Sequence, residues 1–215
     1  RHPDGRTQAE SGRRHAQRNR PGKDQRTVGR AVNLAFFLQE LLDLRIIVAP
    51  DSYKGSVSAV QVACAMTRGI RQIFPDSEVI AIPIADGGEG TVDALLAATG
   101  GQQHRRLVQG PLGQPVAAIW GTLGDQRTAV IEMAAASGLP LLPPEQRDPR
   151  LTSTYGTGQL LSAALDAGLR KIIIGIGGSA PNDGGVGMAR ALGVRFTDAN
   201  GDDLPAGGAA LAKLQ

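Results

Sequence analysis

The chain is poor in the residues that staple, stack or span. A single cysteine, Cys64, stands among 215 residues, which excludes a disulfide within the chain and leaves too few thiols for a structural zinc site. A reducing, cytoplasmic setting is the expectation. Cys64 lies in an apolar helical stretch and is expected to be a small buried side chain, not a nucleophile. Aromatic residues make up only 3% of the chain, so a base-stacking surface is not expected. Long apolar runs are also lacking. The run from Ala31 to Leu44 is broken by Asn33, Gln39, Glu40 and Asp43, too short to cross a bilayer, and reads as a marginal amphipathic helix before the first strand.

Positive charge is unevenly placed. Residues 1–30 hold nine Lys or Arg against three Asp or Glu, and the other 185 residues hold 14 against 17. The basic pI of about 9.4 is therefore a property of the leader, while the body is mildly acidic, which argues against a nucleic-acid binder. The leader has no apolar period and reads as disordered, residues 1–44 forming a leader and linker outside the fold. Its opening on Arg suggests a fragment or a translated upstream region, with a transit peptide as the functional alternative.

From Arg45 onward, strand-like runs alternate with helical patterns, the signature of an α/β fold with a largely parallel sheet and flanking helices. Strands are expected at Ile46 to Ala49, Glu78 to Ile84 and Lys171 to Ile176. Helices are expected from Val57 to a stop at Pro75, and over Thr91 to Ala98, Gly158 to Leu169 and Gly184 to Leu192. Between them, Leu107 to Val108, Val116 to Leu123 and Arg127 to Met133 read as a small antiparallel β-rich subdomain, and Gly138 to Arg150, with four prolines, as irregular loop.

What the chain has in excess is glycine, 29 residues, gathered where strands give way to helices. In open α/β sheets ligands bind at that end. The first such loop, Ala49-Pro50-Asp51-Ser52-Tyr53-Lys54-Gly55-Ser56, offers a cation, hydroxyls and free N–H groups to an anion; its bland reading is a solvated turn with Asp51 and Ser56 as caps. P-loop spacing is absent. In the second, Ala85-Asp86-Gly87-Gly88-Glu89-Gly90-Thr91, Asp86 and Glu89 could hold Mg²⁺, or one could take a proton from a substrate hydroxyl. The third, Gly175 to Gly185, offers Gly177, Gly178, Ser179 and Asn182 to phosphate or substrate oxygens and Asp183 as a further metal or base carboxylate, without the dinucleotide spacing. Thr154, in the hydroxyl-rich stretch Leu151 to Gln159, is a weaker candidate that ordinary capping also explains. Glu132 on a strand is equally compatible with facing a cleft or solvent.

Taken together, APDSYKGS at 49–56, IPIADGGEGT at 82–91, GPLG at 110–113, AVIEMAAASGL at 129–139, TYGTGQL at 154–160 and GIGGSAPNDGGVGMARALG at 175–193 closely resemble the glycerate kinase family of bacterial glycerate and galactarate breakdown. The resemblance implies ATP-dependent phosphorylation of D-glycerate, commonly at the 2-hydroxyl, with Mg²⁺ and a cleft between two α/β domains, and that this chain carries only the N-terminal half. Tyr53 stands for the family's usual Phe and Pro181 for its usual Thr, the latter removing an N–H and a hydroxyl from the third loop. On this reading Lys54, Asp86 and Asp183 are catalytic. Asp51, Ser52, Gly87, Gly88, Glu89, Thr154, Gly177, Gly178, Ser179 and Asn182 bind substrate or phosphate, and Asp86 and Glu89 bind metal. No nucleic acid or membrane partner is expected. The rival reading is an inactive truncated fragment of such a kinase.

Overall fold

A computed structural model describes residues 44–215, so the readings of the leader and of the Ala31 to Leu44 run lie outside the described residues. The β-branched run at the start of the body forms β1 (Arg45–Val48), which pairs in parallel with β2 (Glu78–Ala81) from Arg45 opposite Glu78 to Val48 opposite Ala81. Helix α1 (Ala59–Ile73) connects them. Its N-cap is Ser58, two residues beyond Ser56 and seven beyond Asp51. The Ser58 hydroxyl accepts from Gln61 N (3.3 Å) and the Gln61 side chain accepts from Ser58 N (3.1 Å), a reciprocal cap that satisfies two N–H groups otherwise without partners. Its C-cap is Phe74, as Pro75 requires.

Helix α2 (Thr91–Thr99) leads into a four-stranded sheet in the order β3-β4-β5-β6, formed by Gln102–Gln109, Pro115–Thr122, Thr128–Glu132 and Lys171–Gly175. The expected antiparallel β-rich segment is present but is not set apart. β5 pairs antiparallel with β4 on one side and parallel with β6 on the other, so the meander and the α/β frame share one sheet. β3 starts at Gln102, well before the Leu107 at which the apolar signal begins. Its polar stretch Gln102-Gln103-His104-Arg105-Arg106 suits an edge strand facing solvent, where charge blocks pairing with other chains.

The core fills the space between this sheet and α4 (Tyr155–Asp166). Trp120, Ala129 and Ile131 meet Leu160, Ala163 and Ala164, with short helix α3 (Met133–Ser137) contributing Ala136. Gly158 allows α5 (Val186–Ala191) to approach α4, since a Cβ there would lie 2.7 Å from Ala191 Cβ and 2.8 Å from Met188 Cα. The proline-rich stretch is irregular apart from two single 3₁₀ turns, Leu139–Leu141 and Pro144–Gln146. Cys64 is exposed, contrary to expectation. Of the described α1 residues only Ala59 and Ala63 are buried, because β1 and β2 offer a surface of four residues each, too small to cover the rest of a 15-residue helix.

The β4–β5 turn is held by Asp125, whose carboxylate accepts from Thr128 Oγ1 (2.6 Å), Thr128 N (2.9 Å) and Arg127 N (3.0 Å). These bonds lower its pKa to about 2, the Thr128 hydroxyl contributing most. A carboxyl depressed on folding stabilises the fold above the unfolded pKa of about 3.9, and the contribution disappears as pH falls through the folded value. Asp125→Asn should therefore lower the denaturation midpoint at pH 7 and flatten its fall between about pH 4 and 2, as urea titrations at stepped pH would show.

Candidate active site

Three loops follow β1, β2 and β6. The first two are joined by charge: Lys54 Nζ lies 2.9 Å from Asp86 Oδ2, bridging the loops after β1 and β2. The hydrogen bond to Asp86 holds the Lys54 ammonium above its ordinary pKa, with Asp51 and Glu89 adding smaller attractions. Asp86 is correspondingly depressed, first by Lys54 and then by Gly88 N, which donates to Oδ1 at 2.8 Å. The pair is open to solvent, 66% and 48% exposed, so its attraction contributes little to stability. An open cleft of about 390 Å³ on this side is lined by Ser52, Tyr53, Lys54, Glu89 and Asp93 among others. Asp51 Oδ1 accepts from Ser52 N at 2.6 Å within the first loop.

The second and third loops are joined by backbone. Gly177 N donates to Gly87 O at 2.9 Å, and a Cβ on Gly177 would stand 2.8 Å from Gly88 Cα and N. Glycine here admits a second stretch of main chain, where sequence reasoning expected a ligand. The third loop is further tied to the segment after β5, since Leu139 N donates to Gly178 O (2.9 Å) and Ala180 N to Ser137 O (2.9 Å). Ser179 and Pro181 are half-buried in this stretch and Asn182 is exposed.

Asp183 and Thr154 are brought together, away from solvent. Asp183 is 2% exposed and Thr154 1%. The Asp183 carboxylate accepts from Thr154 N (2.8 Å), Thr154 Oγ1 (3.0 Å), Gly185 N (3.0 Å), Gly187 N (3.1 Å) and Ser153 Oγ (3.4 Å), and Thr154 Oγ1 in turn accepts from Met188 N (2.8 Å). With both oxygens occupied by donors, Asp183 is placed to clamp α4 to α5, unlike the base or metal ligand expected of it. Thr154 is likewise committed to the clamp through its N–H and hydroxyl.

Glu132, for which the sequence left cleft and solvent equally open, faces neither as a free group. Glu132 closes β5, is 8% exposed, and accepts from Val92 N at 2.7 Å, so it caps α2 from outside and fixes the helix that leaves the Asp86 loop. Burial raises its pKa, with the Val92 bond opposing. The only sequence sign was its place at the carboxyl end of a parallel strand. Among the described residues, no three His, Cys, Asp or Glu side chains gather as a metal cage.

Comparisons with known proteins give the family of the chain. The model of the glycerate kinase family matches residues 46–215, and the chain belongs to that family. It is 56% identical over 171 residues to a glycerate 2-kinase of Escherichia coli K12 and 55% identical over 171 residues to a glycerate kinase of Bacillus subtilis 168. In both cases the match covers 80% of this chain and 45% of the relative. A crystal structure from Salmonella typhimurium LT2 that carries the glycerate kinase 2 name superposes with a TM-score of 0.72 at 55% identity, covering 80% of this chain and 47% of that one. The chain thus spans about half the length of the relatives it matches. No helix among the described residues is long and apolar enough to cross a membrane.

If Asp183 is the clamp between α4 and α5, Asp183→Ala leaves its buried donors without partners and should cost at least about 3 kcal/mol, whereas Ser179→Ala should change stability by less than about 1 kcal/mol. Chemical denaturation of the two variants checks this.

Proposed function

We propose that this chain supplies the phosphoryl-transfer loops of an ATP-dependent kinase acting on D-glycerate, with 2-phosphoglycerate the favoured product. The observation that carries the reading is the Lys54–Asp86 ion pair, held at the carboxyl ends of β1 and β2 and joined through Gly87 to the loop after β6. Phosphoryl transfer asks mainly for positioning and charge neutralisation. Lys54 meets the second need, as the partner of the transferring phosphoryl group or of the glycerate carboxylate. Ser52 and Asp51 shape its loop, while the Gly87-Gly88 and Gly177-Gly178 backbones, Ser179 and Asn182 border the path that phosphate or substrate oxygens would take.

The depressed pKa of Asp86 keeps it ionised at neutral pH but makes it a weak base. That suits a group that orients the acceptor hydroxyl or a cation better than one that removes a proton early. Mg²⁺ characteristically takes one or two carboxylates and completes its shell with substrate phosphates and water. Asp86 and Glu89 fit such a partial set, and the ion would supply neutralisation of the phosphate oxygens. Asp183 serves the reaction through position, by fixing the start of α5 relative to the third loop. The share of the relatives' length that this chain spans favours a second reading beside the first, in which the isolated chain binds ligand but does not turn over.

An ADP-release assay with D-glycerate and MgATP tests both readings. It should be run on the 215-residue chain and on a chimera in which residues 46–215 replace the matched part of the Escherichia coli relative, with ³¹P NMR identifying the product. The chimera is expected to turn over. Lys54→Ala and Asp86→Asn should each lower its kcat/KM at least about a hundredfold, or about 2.7 kcal/mol of transition-state stabilisation. Near-normal turnover in either variant overturns the corresponding assignment.

A further inference from the structure

Positive charge gathers at the end of the sheet opposite the proposed phosphoryl-transfer loops. Those loops follow the carboxyl ends of β1, β2 and β6, whereas Arg127 precedes β5, Arg170 precedes β6 and Lys171 opens it. With Asp125 these three cations line an open groove of about 710 Å³ between the β4–β5 turn and the connection from α4 to β6. We infer that this groove binds a small molecule bearing two or more phosphate or carboxylate groups, at a site separate from the substrate cleft and independent of the kinase reading.

The charge balance selects an anion. Three lining residues are cationic and one is acidic, an excess of two positive charges. Asp125 does not cancel it, because its Oδ1 accepts from Arg127 N (3.0 Å) and Thr128 N (2.9 Å) and its Oδ2 from Thr128 Oγ1 (2.6 Å), which commits both oxygens to its own turn. Among the described residues, none of Arg127, Arg170 and Lys171 takes part in an ion pair. Like charges held around one groove repel, and an anion that enters relieves the repulsion. The groove is open, so salt screens the attraction and low ionic strength favours binding. A long polyanion such as a nucleic acid fits less well, since the chain beyond residue 30 holds 14 basic against 17 acidic residues.

The strands hold the cations in place. β5 and β6 pair in parallel from Thr128 opposite Lys171, so the two loops meet the sheet side by side. Arg170 is oriented further, its Nη1 donating to Leu165 O and Leu169 O, both at 2.9 Å. Those carbonyls belong to the negative end of α4, which the guanidinium neutralises. Nε and Nη2 remain as the paired donors with which arginine grips a carboxylate or phosphate. A space of about 710 Å³ lies in the range of small-molecule sites and, with its cations on two loops, exceeds what one phosphate or carboxylate group can reach.

The test titrates pyrophosphate and citrate, without Mg²⁺ and at low salt, into the 215-residue chain by calorimetry, with inorganic phosphate as the single-group comparison. Arg127→Gln/Lys171→Gln removes two exposed cations from the groove, and Arg68→Gln/Arg71→Gln makes the same change of charge on α1. Lys54→Ala reports binding in the substrate cleft, and thermal unfolding establishes that every variant remains folded. The expected result is that pyrophosphate, citrate or both bind more tightly than phosphate and weaken at least about tenfold in the groove variant, with less than about a twofold change in the other two. Weakening of pyrophosphate alone assigns the groove to phosphorylated ligands, and of citrate alone to polycarboxylates. Absence of binding by both probes, equal losses in the two double variants, loss in Lys54→Ala in place of the groove variant, or phosphate binding as tight as either probe overturns the assignment.

Discussion

The Asp183 carboxylate is the constraint on which the other arrangements turn. A buried carboxylate without partners would be expelled or protonated, so the chain must bring donors to it, and those donors belong to two separate elements. Thr154 N and Oγ1 lie at the entry of α4, and Gly185 N and Gly187 N at the entry of α5. Satisfying one side chain thus fixes two helices at once. Gly187 has to be glycine for the same reason, because a Cβ there would stand 2.7 Å from Tyr155 N and 2.8 Å from Asp183 Oδ2. With α4 and α5 locked together, the third loop has a fixed end, and its other end can meet the Asp86 loop through Gly177 and Gly87.

Three carboxylates from the same loop-rich end illustrate how environment divides labour. Asp86 is exposed, paired with Lys54 and depressed in pKa, and so offers a permanent negative charge to solvent and ligand. Glu132 is nearly buried and raised, its charge partly met by the N–H groups at the start of α2, where the helix dipole also favours an anion. Asp183 is enclosed and bonded on both oxygens. Only the first is open to solvent. The other two determine where the first one stands, Glu132 by holding α2 behind the Asp86 loop and Asp183 by holding the loop that crosses it.

Much of the architecture was legible because its signals are local. The β-branched Ile46-Ile47-Val48, the Pro75 stop and the apolar Lys171 to Gly175 run each report on their own backbone, and the observed elements fall within a few residues of those signals. The polar half of β3 was not legible, since an edge strand needs no apolar alternation. Nor was the exposure of Cys64, which depends on how little surface β1 and β2 present to α1. Within the site, Lys54 and Asp86 could be named from their loops, but their contact spans 32 residues and no spacing encodes it. Glu132 and Val92 are 40 residues apart and pose the same difficulty.

Glycine was the feature most easily misassigned, and its correction has a physical basis. A glycine-rich loop beside carboxylates reads as a ligand cradle because removing Cβ lets any group approach, and sequence does not say which group takes the space. At Gly177 the space is taken by the backbone of Gly88, and at Gly158 by α5. Gly178, by contrast, has a φ of 70° and only Ala134 Cβ near its own Cβ position, at 3.5 Å, so it bends the loop without surrendering the surface. The glycines after β2 and β6 therefore do two things in alternation: some weld the loops into one frame, and others leave main chain free on the outer side of that frame. Main chain left free by the second kind is held in place by the first, which is why glycine density and a fixed loop geometry can coexist in one segment.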